Sequence, residues 1–282
     1  ILGVRGDTIV NVEGDRSNVV NRGHLCVKGR FGFSFVNHPE RLKKPLIKKN
    51  GKLVESTWDE ALDLIAGKLG NYESHEMAVL SSAKITNEEN YVVQKFARTV
   101  LGTNNVDHCA RLCHAPTVAG LAQSFGSGAM TNSINEIPDA ACMFAIGTNT
   151  TSAHPVIAAR MKEAIRNGAK LIVANPKEIE LCKFANMFLQ HKPGTDVPLM
   201  MGMARVIIDE RLHDESFIKE GTENYEAFRK SLDNYALDFV EKITGVPANK
   251  IKKAARLYAK NKPGGIFYAM GITQHTHGTE NV

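Results

Sequence analysis

The chain has 282 residues, of which 43% are hydrophobic and 23% charged, which is typical of a globular protein of one large domain or two. No run of about 18 apolar residues occurs, so we expect no membrane span. The net charge of +5 is mild, and the lysine-rich stretch 41–52 lacks interleaved aromatic residues, which favours a solvated surface and argues against nucleic-acid binding. The five cysteines do not suit a disulfide scaffold and favour a reducing, cytoplasmic location.

The first third of the chain predicts an irregular start followed by two helices. Residues 1–56 contain short strand-like runs such as Thr8–Val12 among Gly, Asn and basic residues. Thr57 and Glu60 form a capping-box pattern that opens an amphipathic helix. A short buried strand is expected at 77–80, and Asn87 is expected to cap a second helix that runs to about residue 101. Both chain ends fall beside strand-like sequence, so we expect the chain to be an internal piece of a longer protein.

The middle of the chain predicts an α/β fold. Residues 141–146 are indicative of a buried strand, Pro155 suits the first turn of the next helix, and residues 170–174 form a second strand. This βαβ unit implies parallel strands with a right-handed crossover. Further helices are expected near 197–210, 224–231 and 248–260, and a further strand at 265–270.

Three strand ends carry polar loops, at 147–149, 175–177 and 271–274. Ligands of open parallel sheets bind at the carboxyl ends of the strands, so these loops indicate a nucleotide-like ligand. The first loop lacks the G-x-G-x-x-G fingerprint, which disfavours ordinary NAD binding.

The chemistry-bearing residues cluster at Cys109, Cys113 and His114. A Cys beside Arg and His can have a lowered thiol pKa and serve as a nucleophile or metal ligand. Two partly buried thiols without a role fit the spacing equally well. A zinc site would lack a second CxxC-type pair, and adjacent Cys and His side chains usually point apart, which disfavours a protease dyad.

Three stretches settle this choice by resemblance. They are 102–107 (GTNNVD), 111–114 (RLCH) and 126–133 (GSGAMTNS). Together they resemble the active-site segment of molybdopterin-dependent formate dehydrogenases, of the dimethyl sulfoxide reductase superfamily. The resemblance implies Rossmann-like parallel-sheet domains of the molybdopterin oxidoreductase fold, with a small irregular β segment at the N-terminus. It also implies domains at 1–45 (remnant of a [4Fe–4S] domain), 46–108 (part of a first α/β domain) and 109–282 (a second, nucleotide-binding α/β domain).

The resemblance assigns roles residue by residue. Cys113 would bind molybdenum or tungsten, and His114, which follows the cysteine in formate dehydrogenases, would move the substrate proton. Cys26, in the sequence LCVKGR, would ligate a [4Fe–4S] cluster whose other three cysteines lie upstream of Ile1. Lys28 would lie between that cluster and the pterin.

Two molybdopterin guanine dinucleotides would occupy the strand-end loops. Asn175 stands where many relatives have Asp, which puts the strength of its ribose contact in doubt. Asp196 would pair with the guanine edge, although a helix cap formed by Thr195 or Asp196 is equally compatible. His275 and His277 are expected to line a polar loop and not to bind metal. The full set of expected cofactor-binding residues is Lys28, Arg111, Asn149, Ser152, His154, Asn175, Pro193, Gly194, Asp196, Met270, Gly271 and Gln274.

The implied reaction is oxidation of formate to carbon dioxide, or its reverse, with electrons passing to iron–sulfur partner subunits. The resemblance also places the arginine that holds formate beyond residue 282, so we expect this piece alone not to turn over formate. Two alternatives stay open: a formylmethanofuran dehydrogenase catalytic subunit, and a non-catalytic electron-transfer subunit like that of respiratory complex I. The Cys113–His114 pair argues against the second of these.

Overall fold

The computed structural model describes residues 1–282. The strands are β1 (Leu2–Arg5), β2 (Thr8–Val12), β3 (Leu46–Lys49), β4 (Lys52–Glu55), β5 (Val79–Ser81), β6 (Val106–His108), β7 (Cys142–Ile146), β8 (Lys170–Ala174), β9 (Met187–Leu189) and β10 (Gly264–Tyr268). The α-helices are α1 (Val27–Phe31), α2 (Trp58–Leu69), α3 (Asn87–Thr99), α4 (Ala115–Phe125), α5 (Thr150–Ala153), α6 (Pro155–Arg166), α7 (Asp196–Asp209), α8 (Glu215–Gly221), α9 (Tyr225–Ser231), α10 (Leu237–Thr244), α11 (Ala248–Lys260), α12 (Met270–Thr273) and α13 (Gly278–Asn281). No helix combines the length and hydropathy that a membrane span requires.

A four-stranded parallel sheet, ordered β10-β7-β8-β9, forms the main body of the fold. The predicted βαβ unit is confirmed as β7–α6–β8, and the predicted later strand as β10. Both faces of the sheet are covered, as expected when helical crossovers connect parallel strands. The predicted α/β class with a parallel sheet is therefore confirmed.

Alternate side chains of the central strands enter two separate cores. Phe144 and Ile172 pack with α7, α10 and α11 on one face. Met143 and Leu171 pack with α6 on the opposite face. This alternation follows from the two-residue side-chain period of a strand. Burial on both faces explains why β7 and most of β8 read as continuous apolar runs.

The chain divides into two compact units, one made of residues 1–14 and 27–112 and the other of residues 15–26 and 113–282. The first unit contains the antiparallel pairs β1–β2 and β3–β4 and the short parallel pair β5–β6. Its buried hydrophobic side chains are Val12, Ile47, Ala61 and Ala97. Both clustered hydrophobic cores lie in the second unit.

Several local predictions in the first unit need correction. Thr57 does cap α2, since its side chain accepts a hydrogen bond from the Glu60 amide. The Glu60 carboxylate, however, contacts Ser56 and Lys49, so the capping box is only half formed. The helix α3 is capped by Thr86 and not by Asn87. The strand β5 is not buried, because Leu80 is 83% exposed.

Candidate active site

The three predicted ligand loops lie side by side at the carboxyl edge of the parallel sheet. The Gly271 amide donates to the Gly147 carbonyl at 3.0 Å, and a Cβ on Gly271 would overlap the backbone of Gly147. The side-chain amide of Asn175 donates to the Thr148 carbonyl at 3.3 Å. The loops after β7, β8 and β10 are thus joined directly, as the sequence predicts.

Cys113 is brought to this edge by residues that follow β10. It lies just before α4 and is half-buried. The buried Thr273 hydroxyl donates to the Cys113 carbonyl at 3.0 Å. The Cys113 thiol contacts the Met270 thioether, with Sγ and Sδ 3.4 Å apart. The structure therefore places Cys113 next to one predicted cofactor-binding residue, Met270, and next to Thr273, which is not among the predicted cofactor-binding residues.

His114 occupies the N-cap position of α4 but makes no capping hydrogen bond with its side chain. Its Nδ1 lies 3.1 Å from the Thr117 hydroxyl. That contact fixes one ring nitrogen and leaves Nε2 to exchange a proton. A half-buried imidazole with one nitrogen so oriented is suited to general acid–base chemistry.

The predicted residues after β7 lie in the short connection between β7 and α6, which includes α5. The Asn149 carboxamide oxygen accepts from the Thr151 hydroxyl at 3.3 Å. Ser152 lies in α5, His154 lies between α5 and α6, and both are exposed. In the next loop, the Asn175 side-chain oxygen accepts from the Lys177 amide at 3.0 Å. The acceptor that Asn175 would offer a ribose is therefore already shared with its own loop.

Asp196 is more enclosed than its sequence context suggests. Its carboxylate lies 3.0 Å from Nε2 of His191, and the two side chains are 3% and 1% exposed. The other carboxylate oxygen lies 3.9 Å from Nε2 of His275. Neither Thr195 nor Asp196 caps α7 with its side chain, so the predicted capping role is wrong. Pro193 and Gly194 form an exposed turn just before it.

His191 is not among the residues that the sequence singles out. A lone His five residues before an Asp carries no recognisable signal, and only the tertiary pairing identifies it. The predicted loop role of His275 is consistent with its contact to the Gly271 carbonyl, 2.8 Å from Nε2. His277 is exposed and lies 3.8 Å from Glu280. Gln274 follows α12 at the same sheet edge and is exposed.

The remaining predicted residues lie near the N-terminus and in the segment before Cys113. Lys28 is exposed in α1, and Cys26 is half-buried immediately before that helix. Arg111 donates to Asp107 at 2.8 Å. This hydrogen bond, with a smaller one from the His108 amide, lowers the pKa of Asp107.

Cys109 differs from Cys113 in its surroundings. Its sulfur accepts a hydrogen bond from the Ala83 amide at 3.2 Å and lies 3.9 Å from the Ser82 hydroxyl. The Ala83 amide is the main cause of a lowered Cys109 pKa, with His108 next. Cys109 and Cys113 belong to different compact units.

The donor set fits a metal that is held mainly by a bound cofactor. No group of three or more His, Cys, Asp or Glu side chains is arranged to hold a metal ion. One soft thiol, Cys113, stands at the carboxyl edge of the sheet, where parallel sheets bind ligands, and it could supply one ligand to a soft metal whose other ligands a cofactor provides. A surface cleft of about 620 Å³, lined by residues between 213 and 227, includes none of the predicted site residues.

Comparisons with known proteins agree with this arrangement. Residues 41–282 match the family "Molybdopterin oxidoreductase", and residues 1–38 match the "Molybdopterin oxidoreductase Fe4S4 domain". The chain is 49% identical over 281 residues to "F420-dependent formate dehydrogenase 1 subunit alpha" of Methanococcus maripaludis, covering 100% of this chain and 42% of that protein. It is 45% identical over 273 residues to "Formate dehydrogenase H" of Escherichia coli, covering 93% of this chain and 38% of that protein.

A solved structure is also similar. Acetylene hydratase from Pelobacter acetylenicus superposes with a TM-score of 0.78 at 28% sequence identity, over 88% of this chain and 35% of that one. The chain spans less than half the length of these relatives. The family match covers most of the chain, and the matched residues 41–282 include the parallel sheet and Cys113. The chain belongs to the molybdopterin oxidoreductase family.

Proposed function

We propose that the protein containing this chain oxidises formate to carbon dioxide, or runs the reverse reaction. The observation that most directly supports this proposal is the Cys113 thiol at the carboxyl edge of the parallel sheet, with His114 as the next residue. The relatives named as formate dehydrogenases support the same substrate. The Fe4S4 domain match supports electron transfer to a cluster.

The reaction converts formate into carbon dioxide, one proton and two electrons. A molybdenum or tungsten ion carrying two molybdopterin guanine dinucleotides supplies the two-electron acceptor when bound. Cys113 would hold that metal as a thiolate, which is the form of cysteine that binds metals. The proton would go to Nε2 of His114, since Nδ1 contacts the Thr117 hydroxyl. The imidazole ring of His114 would then act as the general base and release the proton again after each cycle.

Other residues hold the cofactor in this proposal. The contributions come from the loops after β7, β8 and β10, from the turn at Pro193 and Gly194, and from Arg111. Asp196 would pair with the guanine edge, and His191, whose Nε2 lies 3.0 Å from the Asp196 carboxylate, would hold that carboxylate in place.

The electron path and the domain division belong to the same proposal. Cys26 would be one ligand of a [4Fe–4S] cluster, and the Lys28 ammonium would favour electron-rich neighbours on the path to it. The cluster would supply the route for electrons to iron–sulfur partner subunits. Residues 1–45 are assigned to the cluster domain, 46–108 to a first α/β domain and 109–282 to the second.

The test is formate-dependent reduction of a viologen dye by the full-length enzyme, with its metal identified by elemental analysis. Removing the general base should lower kcat by about 10²- to 10⁴-fold, so we expect that loss for H114Q. We expect C113A to lose formate-dependent activity, because the metal would lack its thiolate ligand from the protein. T244V, a substitution in α10, is the control for activity lost during the preparation of a variant.

Three outcomes would contradict the proposal. Wild-type enzyme that carries molybdenum or tungsten but fails to reduce the dye with formate would reject the substrate. Dye reduction with formylmethanofuran in place of formate would favour the alternative dehydrogenase. Undiminished formate-dependent activity of C113A would reject the assignment of Cys113 as the metal ligand.

A further inference from the structure

Neighbouring residues in the chain contribute little to fixing the position of Cys113. It follows a short 3-10 turn at Cys109–Arg111 and precedes the first turn of α4. The two compact units also divide between Leu112 and Cys113. Its side chain and carbonyl each make one contact, and both partners lie in α12. The position of the thiol therefore depends on residues about 160 positions away in the sequence.

Thr273 supplies the backbone contact from a rigid place. Its side chain is 2% exposed, and its hydroxyl donates to the Cys113 carbonyl at 3.0 Å. The adjacent Ile272 carbonyl accepts from the Asn281 side chain at 2.8 Å. Gly278 packs so closely on the Thr273 carbonyl that no Cβ would fit there. Residue 273 is thus fixed from two sides.

The helix that carries Thr273 is itself anchored to the sheet edge. The Gly271 amide binds the Gly147 carbonyl, and His275 contacts the Gly271 carbonyl at 2.8 Å. These contacts hold α12, and with it Thr273, in a fixed position relative to the sheet. Catalytic constellations need such supports, because small displacements of a reacting group reduce rates strongly.

We propose that Thr273 is a positioning residue for the Cys113 thiolate. Its hydroxyl fixes the Cys113 carbonyl and thereby the direction in which the thiolate meets the metal. The inference rests on the proposed function for its kinetic consequence, but its structural part concerns only residues of this chain. Removing the hydroxyl leaves a part-buried carbonyl without its side-chain donor, which frees the turn before α4.

The test compares T273V with T273S in the full-length protein, prepared both with cofactor and without it. T273V keeps the shape of the side chain and removes the donor, whereas T273S keeps the donor. The matched control is T244V, because Thr244 is also fully buried and donates to a carbonyl, that of Val240 at 2.7 Å, within α10.

The first measurement is the rate of alkylation, which does not require an active enzyme. In cofactor-free protein, iodoacetamide should modify Cys113 on the order of ten-fold faster in T273V than in wild type. Exposed Cys109, in the other unit, serves as the internal reference and should be unchanged. The second readout is the loaded enzyme, in which T273V should lower kcat on the order of ten-fold with little change in KM. T273S should restore both values.

The outcomes separate this inference from the proposed function. Equal alkylation of Cys113 in T273V and wild type would overturn the inference, as would acceleration of Cys113 and Cys109 alike, or the same acceleration in T244V. Failure of T273S to restore the wild-type rate would also overturn it. If T273V does not fold, T273A takes its place against T273S. Absence of formate turnover in the wild type would reject only the proposed function, because the alkylation result stands without it.

Discussion

Three cysteines show how different environments set thiol reactivity within one chain. The Ala83 amide, followed by His108 and Ser82, lowers the pKa of Cys109. Burial raises the pKa of Cys182 and raises that of Cys142 to about 11. Because the thiolate is the reactive form, a lower pKa moves the onset of alkylation to lower pH.

We therefore expect the alkylation rate of Cys109 to reach its half-maximum at a lower pH than that of Cys182. Cys142, which is fully buried, should not react in folded protein. The measurement is iodoacetamide modification across a pH series, read by peptide mass spectrometry. S82A is the control, and its effect should be small because Ser82 contributes least of the three hydrogen-bonding groups. A Cys109 midpoint at or above that of Cys182 would refute the expectation.

At the scale of single residues, the sequence could identify candidates but not their partners. Cys113 and His114 are adjacent in the chain and belong to a segment that resembles a known family. The contacts of Cys113 with Met270 and Thr273 span 157 and 160 residues, and no local pattern predicts them. The pairing of His191 with Asp196 was missed because the turn between them, and not their spacing, brings the side chains together.

Two helix N-termini of the first unit differ in how completely they are capped. At α3, Thr86 accepts from the Glu89 amide and Glu89 accepts from the Thr86 amide, at 3.2 and 2.7 Å. At α2, only the Thr57 half of this exchange is present. A reciprocal box satisfies two amide donors that would otherwise lack partners in the helix.

We expect T86A to destabilise α3 by about 1 kcal/mol and T57A to destabilise α2 by less. Amide hydrogen exchange of each helix measures this locally. Q94A, which alters an exposed polar side chain further along α3 and away from the cap, is the comparison. A larger effect for T57A than for T86A would contradict the structural difference.

The close approach of two glycines is the contact that joins the first and last ligand loops. A Cβ on Gly271 would overlap the Gly147 backbone, which cannot move aside without disturbing β7. G271A should therefore destabilise the second unit by about 1–3 kcal/mol and reduce cofactor retention. Thermal denaturation and metal content are the measurements.

G67A is the matched control for that substitution. Gly67 lies in α2 with no atom near the position of an added Cβ. Alanine there should stabilise the helix by about 0.5–1 kcal/mol, because it removes the excess flexibility of glycine in the unfolded chain. Equal destabilisation by both substitutions would show that the overlap at Gly271 is not the cause.

Elements of the second unit were predictable to within a few residues because two-sided burial leaves a strong sequence pattern. The strands β7 and β8 and the helix α6 follow their predicted ranges closely. In α2 the same reasoning predicts a buried face, yet Leu62 and Ile65 are 55% and 52% exposed. The spacing of apolar residues indicates that a helix has an apolar face, but it does not indicate what covers that face.

Across the whole molecule, buried apolar surface is distributed unevenly between the two units. Buried hydrophobic side chains of the first unit are few and scattered, whereas those of the second form two clusters. Local stability follows the density of buried apolar contacts. Amides of α2 and α3 should therefore exchange faster with solvent than those of β7 and β8 in this 282-residue chain.

Hydrogen exchange with mass spectrometry under native conditions tests that ranking. Peptides from α11, a helix of the second unit with three buried residues, provide the comparison with α2 and α3 at similar helix length. Equal protection of these helices would show that the buried side chains do not set the local stability.

The order of the strands has a consequence for the timing of assembly. β10 lies beside β7 in the sheet, although β8, β9 and the seven α-helices α5 to α11 separate them along the chain. During synthesis the turn at Cys113 leaves the ribosome long before Thr273 does, and closing so long a loop is entropically costly and slow. Until then the thiol has no fixed direction. In the proposed function, a metal held by Cys113 would therefore be installed only after most of this chain has been translated and the last strand has docked.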